Sequence, residues 1–490
     1  MKDLYRSFFF LSTVWLLTAC NAPPTVAPEV ARSQEIVPEG SYPTPEGDPV
    51  ALGLAGYAKV LCSAVFISER EPEEAVVNSG FFLLPEAYRS QVSYQIDREE
   101  KVVEMRLGDT LLRKAKYYGD QGCIICKDNE EKIFFEPVAV ESSLPDPASS
   151  LWPMGDSLPS GPLPAHIDRG TLREAVDLAF SPPDALTAAF LVVYDGQIIA
   201  ERYGQGADMH TQLESWSMGK SLTATLIGRM IQEGYFALTD PAPVSEWNKV
   251  EDDPRGDIRI MDLLQMSSGL YFTAHRDPEA EQYTRYLDHI YIYTGAVDAF
   301  SYSTNRPLQF PVGTEGRYRN CDPLALGHIM RTQLEAKGED YHTYPQRKLF
   351  YEIGIRRQVL VSDPYGNFLL TGYDYGTARN WARLALLHLN NGMWQGERLL
   401  PEDWSEFVSS RAPAWDDPIY GGLFWLNGMG QLPLPENTYY MAGAGGQQTI
   451  IVPDHDLIIV RMGHFRGSAV GTEALNLACA KLMEALGVRM

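Results

Sequence analysis

From residue 167 onward, apolar and polar positions fall into two periods. Ala189-Phe-Leu-Val-Val-Tyr194 and Gln197-Ile-Ile-Ala-Glu-Arg202 are short apolar runs joined by Asp195-Gly196, which predicts a β-hairpin. Near the C-terminus, Thr449-Ile-Ile-Val452, a Pro453-Asp-His-Asp456 turn and Leu457-Ile-Ile-Val-Arg461 predict a second hairpin. Helical spacing predicts helices over 172–180, 262–266, 324–330, 377–389, 401–408 and about 470–486. Strands at both ends with a helical middle imply an α+β domain, an antiparallel sheet flanked by helices. Upstream, the pattern predicts a helix through Tyr57 to Phe66. Alternation at Val92, Tyr94, Ile96 and at Val103, Met105, Leu107 predicts a hairpin around Asp97-Arg-Glu-Glu-Lys101.

Composition divides the chain further. Residues 21–50 carry seven prolines and few large apolar residues, so they read as an extended linker. A Pro/Ser-rich stretch, 142–164, reads as a separator between a 51–150 extension and a main domain over 151–490. Residues 1–20 have the form of a targeting segment: Lys2 and Arg6, an apolar run from Phe8 to Leu17, then Leu17-Thr-Ala-Cys20. The last four resemble a bacterial lipobox. That resemblance implies cleavage before Cys20 and lipid attachment to its thiol, against the alternative of an ordinary secretory signal. Asn21 implies the outer membrane of a Gram-negative cell, reached through the lipid anchor only. No other stretch reads as long and apolar enough to span a membrane.

A formal net charge of −23 and the lack of a basic block argue against nucleic acid as a partner. In an exported chain, disulfides are expected, and Cys62 is expected to join Cys123 or Cys126. Cys123-Ile-Ile-Cys126 has no second half of a zinc site, and the nine histidines show no ligand spacing. No metal or cofactor is expected, and the oligomeric state is not legible.

The chemistry concentrates at Ser217-Met-Gly-Lys220, where a turn enters a helix marked by Met218, Leu222, Leu226 and Met230. Positions i and i+3 share a helix face, so the hydroxyl and the ammonium project together. A serine nucleophile needs such a base. Two further parts fit. Tyr318-Arg-Asn320 precedes a helix, and a tyrosine between Ser217 and Lys220 is expected to have its pKa lowered by the ammonium. Tyr365-Gly-Asn367 is a rival copy in a loop. Gly443-Ala-Gly-Gly-Gln447 sits at a strand entrance, where glycines let backbone approach a substrate. No Gly-x-Ser-x-Gly and no HExxH occurs.

Ser217-x-x-Lys220, Tyr318-x-Asn320 and the glycine-rich entrance, in that order, resemble the serine β-lactamase and penicillin-binding superfamily, in its class C-like branch. Glu214-Ser-Trp-Ser-Met-Gly-Lys-Ser221, Leu263-Leu-Gln-Met-Ser-Ser-Gly-Leu270 and Tyr375-Gly-Thr-Ala-Arg-Asn-Trp-Ala-Arg383 are similar to the 6-aminohexanoate-dimer hydrolase and carboxylesterase group. The resemblance implies an α/β sandwich with an all-helical insertion, and an ester or amide substrate cleaved through an acyl-enzyme on Ser217. It also implies that Lys220 and Tyr318 share the proton and that Asn320 orients Lys220 or the substrate. Gly445, Gly446 and Gln447 would bind substrate, with the amides of Ser217 and Gln447 as oxyanion hole. Where the third motif of the superfamily usually carries a cation, this chain has Ala444; Arg319 offers another route to an anion contact. The alternatives are a β-lactamase or D,D-peptidase, and a non-catalytic surface binding protein that keeps the fold.

Overall fold

A computed structural model describes residues 42–127 and 130–488. The targeting segment, Cys20 and the linker up to residue 41 lie outside the described residues. The linker expected to run to residue 50 ends earlier. Asp48 caps helix α1 (Pro49–Phe66) by accepting from the amides of Val50 and Ala51, with Pro49 in the first helical position. Helix α1 is 18 residues long and apolar enough by itself to cross a membrane, which corrects the expectation that no such stretch follows the leader. It is buried in protein instead. Leu54, Tyr57, Ala58 and Leu61 pack with Val103, Met105 and Ala115. Leu52 and Val60 join the core of the main domain.

The extension holds a four-stranded antiparallel sheet rather than one hairpin: β1 (Val92–Asp97), β2 (Val102–Leu107), β3 (Leu111–Tyr117) and β4 (Cys123–Ile124), in that order. Cys62 on α1 is joined to Cys123 on β4, while Cys126 keeps a free, half-buried thiol. The stretch 142–164 is strapped down and is no free spacer. Trp152 is buried and donates Nε1–H to Gly196 O, and Arg383 donates to Pro153 O and Gly155 O.

Helix α2 (Arg169–Ala179) leads into β5 (Thr187–Tyr194) and β6 (Gln197–Tyr203), the predicted hairpin. Next come β7 (Leu213–Glu214), α3 (Gly219–Gln232), α4 (Cys321–Ala336), β8 (Val359–Leu360), β9 (Asp374–Gly376) and α5 (Ala378–Leu389). The chain closes with β10 (Trp425–Leu426), β11 (Tyr439–Gly443), β12 (Gln447–Val452), β13 (Leu457–Gly463) and α6 (Ser468–Ala485). The main sheet has the order β10-β11-β12-β13-β5-β6, and every neighbouring pair is antiparallel.

Side-chain alternation places helices on both faces of that sheet. Phe190, Val192, Ile450 and Ile459 face Leu172, Ala175, Leu475 and Ala478 of α2 and α6. Leu191, Val193, Ile451 and Ile458 face the other way, into the core shared with Leu222 of α3 and Trp381 and Leu384 of α5. Strand β5 is thus apolar on both faces. This is why its sequence reads as a continuous run rather than an alternation. A small sheet β7-β9-β8 fastens the segment before α3 to the segment before α5.

Candidate active site

The Ser217 segment is set by a short 3-10 turn, Trp216–Met218, that runs directly into α3. Trp216 holds a φ of +46°, a left-handed conformation that is strained for a bulky residue. Its ring is braced at 5.3 Å by Phe82, at 6.0 Å by Phe465 and at 5.2 Å by Tyr373. Phe82 comes from the N-terminal extension and stacks on Phe465 at 3.7 Å. The extension therefore builds one wall beside Ser217.

Ser217 and Lys220 meet as their spacing predicts. The Lys220 ammonium nitrogen lies 3.1 Å from Ser217 Oγ and 2.9 Å from the carbonyl oxygen of Thr371. Lys220 is buried and both hydrogen-bond partners are neutral. Burial holds its pKa well below 10.5; Asp374 opposes that shift and Arg276 adds to it. Ser217 itself is half-buried and open to the cleft.

Tyr318 enters from the loop ahead of α4, with its hydroxyl facing Ser217 and its ring centroid 4.8 Å from Lys220 Nζ. Its pKa moves opposite to the expected direction, up to about 12, because burial outweighs the contact with Ser217 and the charge of Arg276. Burial thus overrides the nearby positive charge and favours the protonated phenol.

Asn320 does not bond Lys220 directly. Its Nδ2 donates to His289 O at 2.9 Å and to Tyr293 Oη at 3.1 Å. Tyr293 Oη lies 2.5 Å from Thr371 Oγ1, and the carbonyl of Thr371 receives Lys220. Asn320 thus reaches the lysine through Tyr293 and Thr371. Sequence reasoning missed both relays. Thr371 lies only four residues before Tyr375-Gly-Thr-Ala-Arg379, so extending that motif upstream would have found it. Tyr293 lies in a short helix, Asp288–Thr294, that carries no such marker.

The glycine-rich hairpin divides in two. Gly443 lies against the Ser217 segment: a β-carbon there would fall 2.1 Å from Ser215 O and 3.1 Å from Ser217 N. Ala444 is exposed beside it. Gly445, Gly446 and Gln447 are buried on the far side. The carbonyls of Gly445 and Gly446 accept from the buried Arg461 guanidinium at 3.1 and 2.8 Å. The Gln447 side chain exchanges two hydrogen bonds with the backbone of Gly463. These three residues shape the hairpin that delivers Gly443 to Ser217.

Arg319 does not supply an anion contact. It is buried, with Nε donating to Asp277 Oδ1 at 3.2 Å and Nη1 to Leu270 O at 2.9 Å. Its neighbours in the chain, Tyr318 and Asn320, take the cleft side, which leaves Arg319 directed into the loop 270–279. Tyr365-Gly-Asn367, the rival copy, lies elsewhere: Tyr365 stacks on Phe134, and Asn367 bonds Asp298 and Asp363. Among the described residues, no group of three or more His, Cys, Asp or Glu is placed to hold a metal ion.

Residues 176–480 match the family model described as Beta-lactamase. A 6-aminohexanoate-dimer hydrolase from Paenarthrobacter ureafaciens is 28% identical over 307 residues, 58% of this chain and 74% of that one. The fold is shared with a Bacillus anthracis protein described as a candidate 6-aminohexanoate-dimer hydrolase. That match has a TM-score of 0.54 and 19% identity, over 72% of this chain and 92% of the other. It is also shared with EstCE1, a hydrolase with promiscuous acyltransferase activity, with a TM-score of 0.50 and 14% identity over 64% and 98% of the two chains. The chain therefore belongs to the Beta-lactamase family, as a hydrolase of the β-lactamase fold.

Proposed function

We propose that this protein is a serine hydrolase that cleaves an ester or amide of a small substrate through an acyl-enzyme on Ser217. The observation that carries the reading is the 3.1 Å contact between Ser217 Oγ and a buried Lys220 whose hydrogen-bond partners are neutral. An uncharged amine there accepts the Ser217 proton as Oγ forms its bond to the substrate carbonyl carbon. We place the oxyanion donors at the Ser217 amide and at the Gly443–Ala444 backbone, the part of the hairpin in contact with the nucleophile. This replaces Gln447 as the second donor. As the tetrahedral centre collapses, the proton on Lys220 passes to the leaving oxygen or nitrogen, with the Tyr318 hydroxyl as the relay. Its raised pKa suits a group that gives and regains a proton without dwelling as phenolate. In the second half, a water loses its proton to the same pair, attacks the acyl carbon and releases Ser217.

The 6-aminohexanoate-dimer hydrolase relative supports a linear amide, and the fold shared with EstCE1 supports an ester. A fluorophosphonate probe tests the nucleophile. Labelling of the wild type and not of Ser217→Ala is expected, with turnover of short acyl esters. No labelling and no turnover would sink the hydrolase reading in favour of a binding protein. Faster hydrolysis of a chromogenic β-lactam than of any ester would move the substrate to β-lactams. On sequence alone, we also place the mature chain on a lipid anchor at Cys20, facing the periplasm. Mass spectrometry of the mature N-terminus is expected to find an acylated Cys20, and an unmodified Cys20 or a cut elsewhere would refute it.

A further inference from the structure

We propose that Arg276 is a substrate-binding residue that engages an anionic group, a carboxylate in the simplest case, on the ester or amide; this rests on the hydrolase reading above. The residue lies in the loop after β7 and α3 that passes in front of the nucleophile, and it is exposed. Its guanidinium carbon sits 5.6 Å from the Tyr318 ring centroid and 4.8 Å from that of Trp425. Tyr318 is the ring that Lys220 also approaches. Arg276 therefore stands at the mouth of the site, over the residue that faces Ser217.

Its surroundings leave its charge available. Among the described residues, no hydrogen bond or ion pair engages Arg276. The adjacent carboxylate, Asp277, is taken by Arg319 at 3.2 Å, and Glu279 by Arg317 at 3.2 Å. The groups it influences are Lys220, Tyr318, His275, His289, Tyr420 and Tyr440, none of them a carboxylate. Two aromatic rings fix its position while its N–H edges stay free for a planar, two-oxygen anion. The site thereby regains the cation that Ala444 does not supply, and from a different loop. A carboxylate-bearing substrate becomes the better candidate than a neutral one.

The test is a pair of substrate ratios. One pair places the carboxylate on the acyl side, p-nitrophenyl hydrogen glutarate against p-nitrophenyl butyrate. The other places it on the leaving group, 4-acetoxybenzoate against phenyl acetate. In at least one pair, Arg276→Gln is expected to lower the acid-to-neutral ratio of kcat/KM by about 10- to 100-fold, mainly through KM. Arg276→Lys should restore part of it, Arg276→Glu should lower it further, and added salt should shrink it in the wild type. Ratios within twofold of wild type in both pairs would overturn the assignment. If no ester is turned over at all, the hydrolase reading fails separately. Calorimetric binding of glutarate, lost in Arg276→Gln, would then still support the anion site, and binding equal in both proteins would refute it.

Discussion

The carboxyl group of Asp374 fills the space that a side chain at Gly219 would need: a β-carbon there would lie 1.8 Å from Asp374 Oδ2. Gly219 separates Met218 from Lys220, so β9 packs its carboxyl directly under the turn that carries Ser217 and Lys220. Both carboxyl oxygens are buried, and burial pushes the pKa well above the usual carboxylate range, against the pull of Lys220 and Ser215. The consequence is a coupled pair. Gly219→Ala is expected to destabilise the protein by about 1–3 kcal/mol as an overpacking substitution and to cut activity through displacement of Lys220. In an Asp374→Ala background the same change should cost much less. Urea unfolding of the four proteins of this cycle measures the coupling. Additive effects would mean that the contact does not constrain the turn.

Lys220 is expected to act as a neutral base, so a residue that cannot lose its proton cannot replace it. Lys220→Arg should lower kcat/KM by about a hundred- to ten-thousandfold. Wild-type kcat/KM should fall on the acidic side, as Lys220 becomes protonated, at a pH well below the ordinary lysine value. Arg276→Gln removes a charge that depresses the lysine, so the acidic limb should move to higher pH. A limb that stays put, or moves down, would assign it to another group. A pH–rate profile of wild type and both variants settles the direction.

How much of this was legible in the chain follows sequence distance. Ser217 and Lys220 are three residues apart on one helical turn, so their contact is a local property and was readable. The hairpins at 187–203 and 447–463 were also local, fixed by turn residues between apolar runs. Tyr318 was reachable only through its motif, and the direction of its pKa was not. Burial is the sum of everything packed around it, including Trp425 and Tyr420 from more than a hundred residues away. Arg319 looked like the available cation because it sits inside that motif. The backbone turns it toward Asp277, and Arg276 occupies the mouth instead. Phe82 had no signature, since a phenylalanine in a short turn carries no chemistry until Trp216 and Phe465 meet it.

The extension supports the site through the Cys62–Cys123 bond, whose residues are separated by 61 positions. The bond ties α1 to β4, and the Lys59 ammonium donates to Cys123 O at 2.8 Å on the same seam. Loop-closure entropy for a segment of that length corresponds to about 4 kcal/mol. Cys62→Ser/Cys123→Ser is expected to lose a comparable amount in urea unfolding, and activity should fall with it as Phe82 loosens from Trp216. Full activity after complete reduction would show that the wall at Phe82 is held by packing alone.

Glu214, three residues before the nucleophile, gives the stability a defined pH dependence. The residue is half-buried, but its Oε1 is buried, and burial pushes its pKa up to about 8 against the pull of Tyr375, Arg70 and Lys59. The folded state therefore keeps the proton over a range in which the unfolded chain has released it. Its contribution is full below the ordinary value of 4.5 and is lost as pH rises towards about 8. Lys59 works in the opposite sense. Burial lowers it to about 7, so its contribution is present above the ordinary 10.5 and is lost as pH falls towards 7. Between pH 5 and 7 Lys59 adds little slope, and Glu214 acts in the same sense as Asp322 and Asp363, which burial raises to about 7 and about 6. Glu214→Gln keeps the shape and removes the titration, so its melting temperature should vary less across that interval than the wild type's. Parallel profiles would show that this carboxyl is ionised, and its charge balanced, in the folded protein.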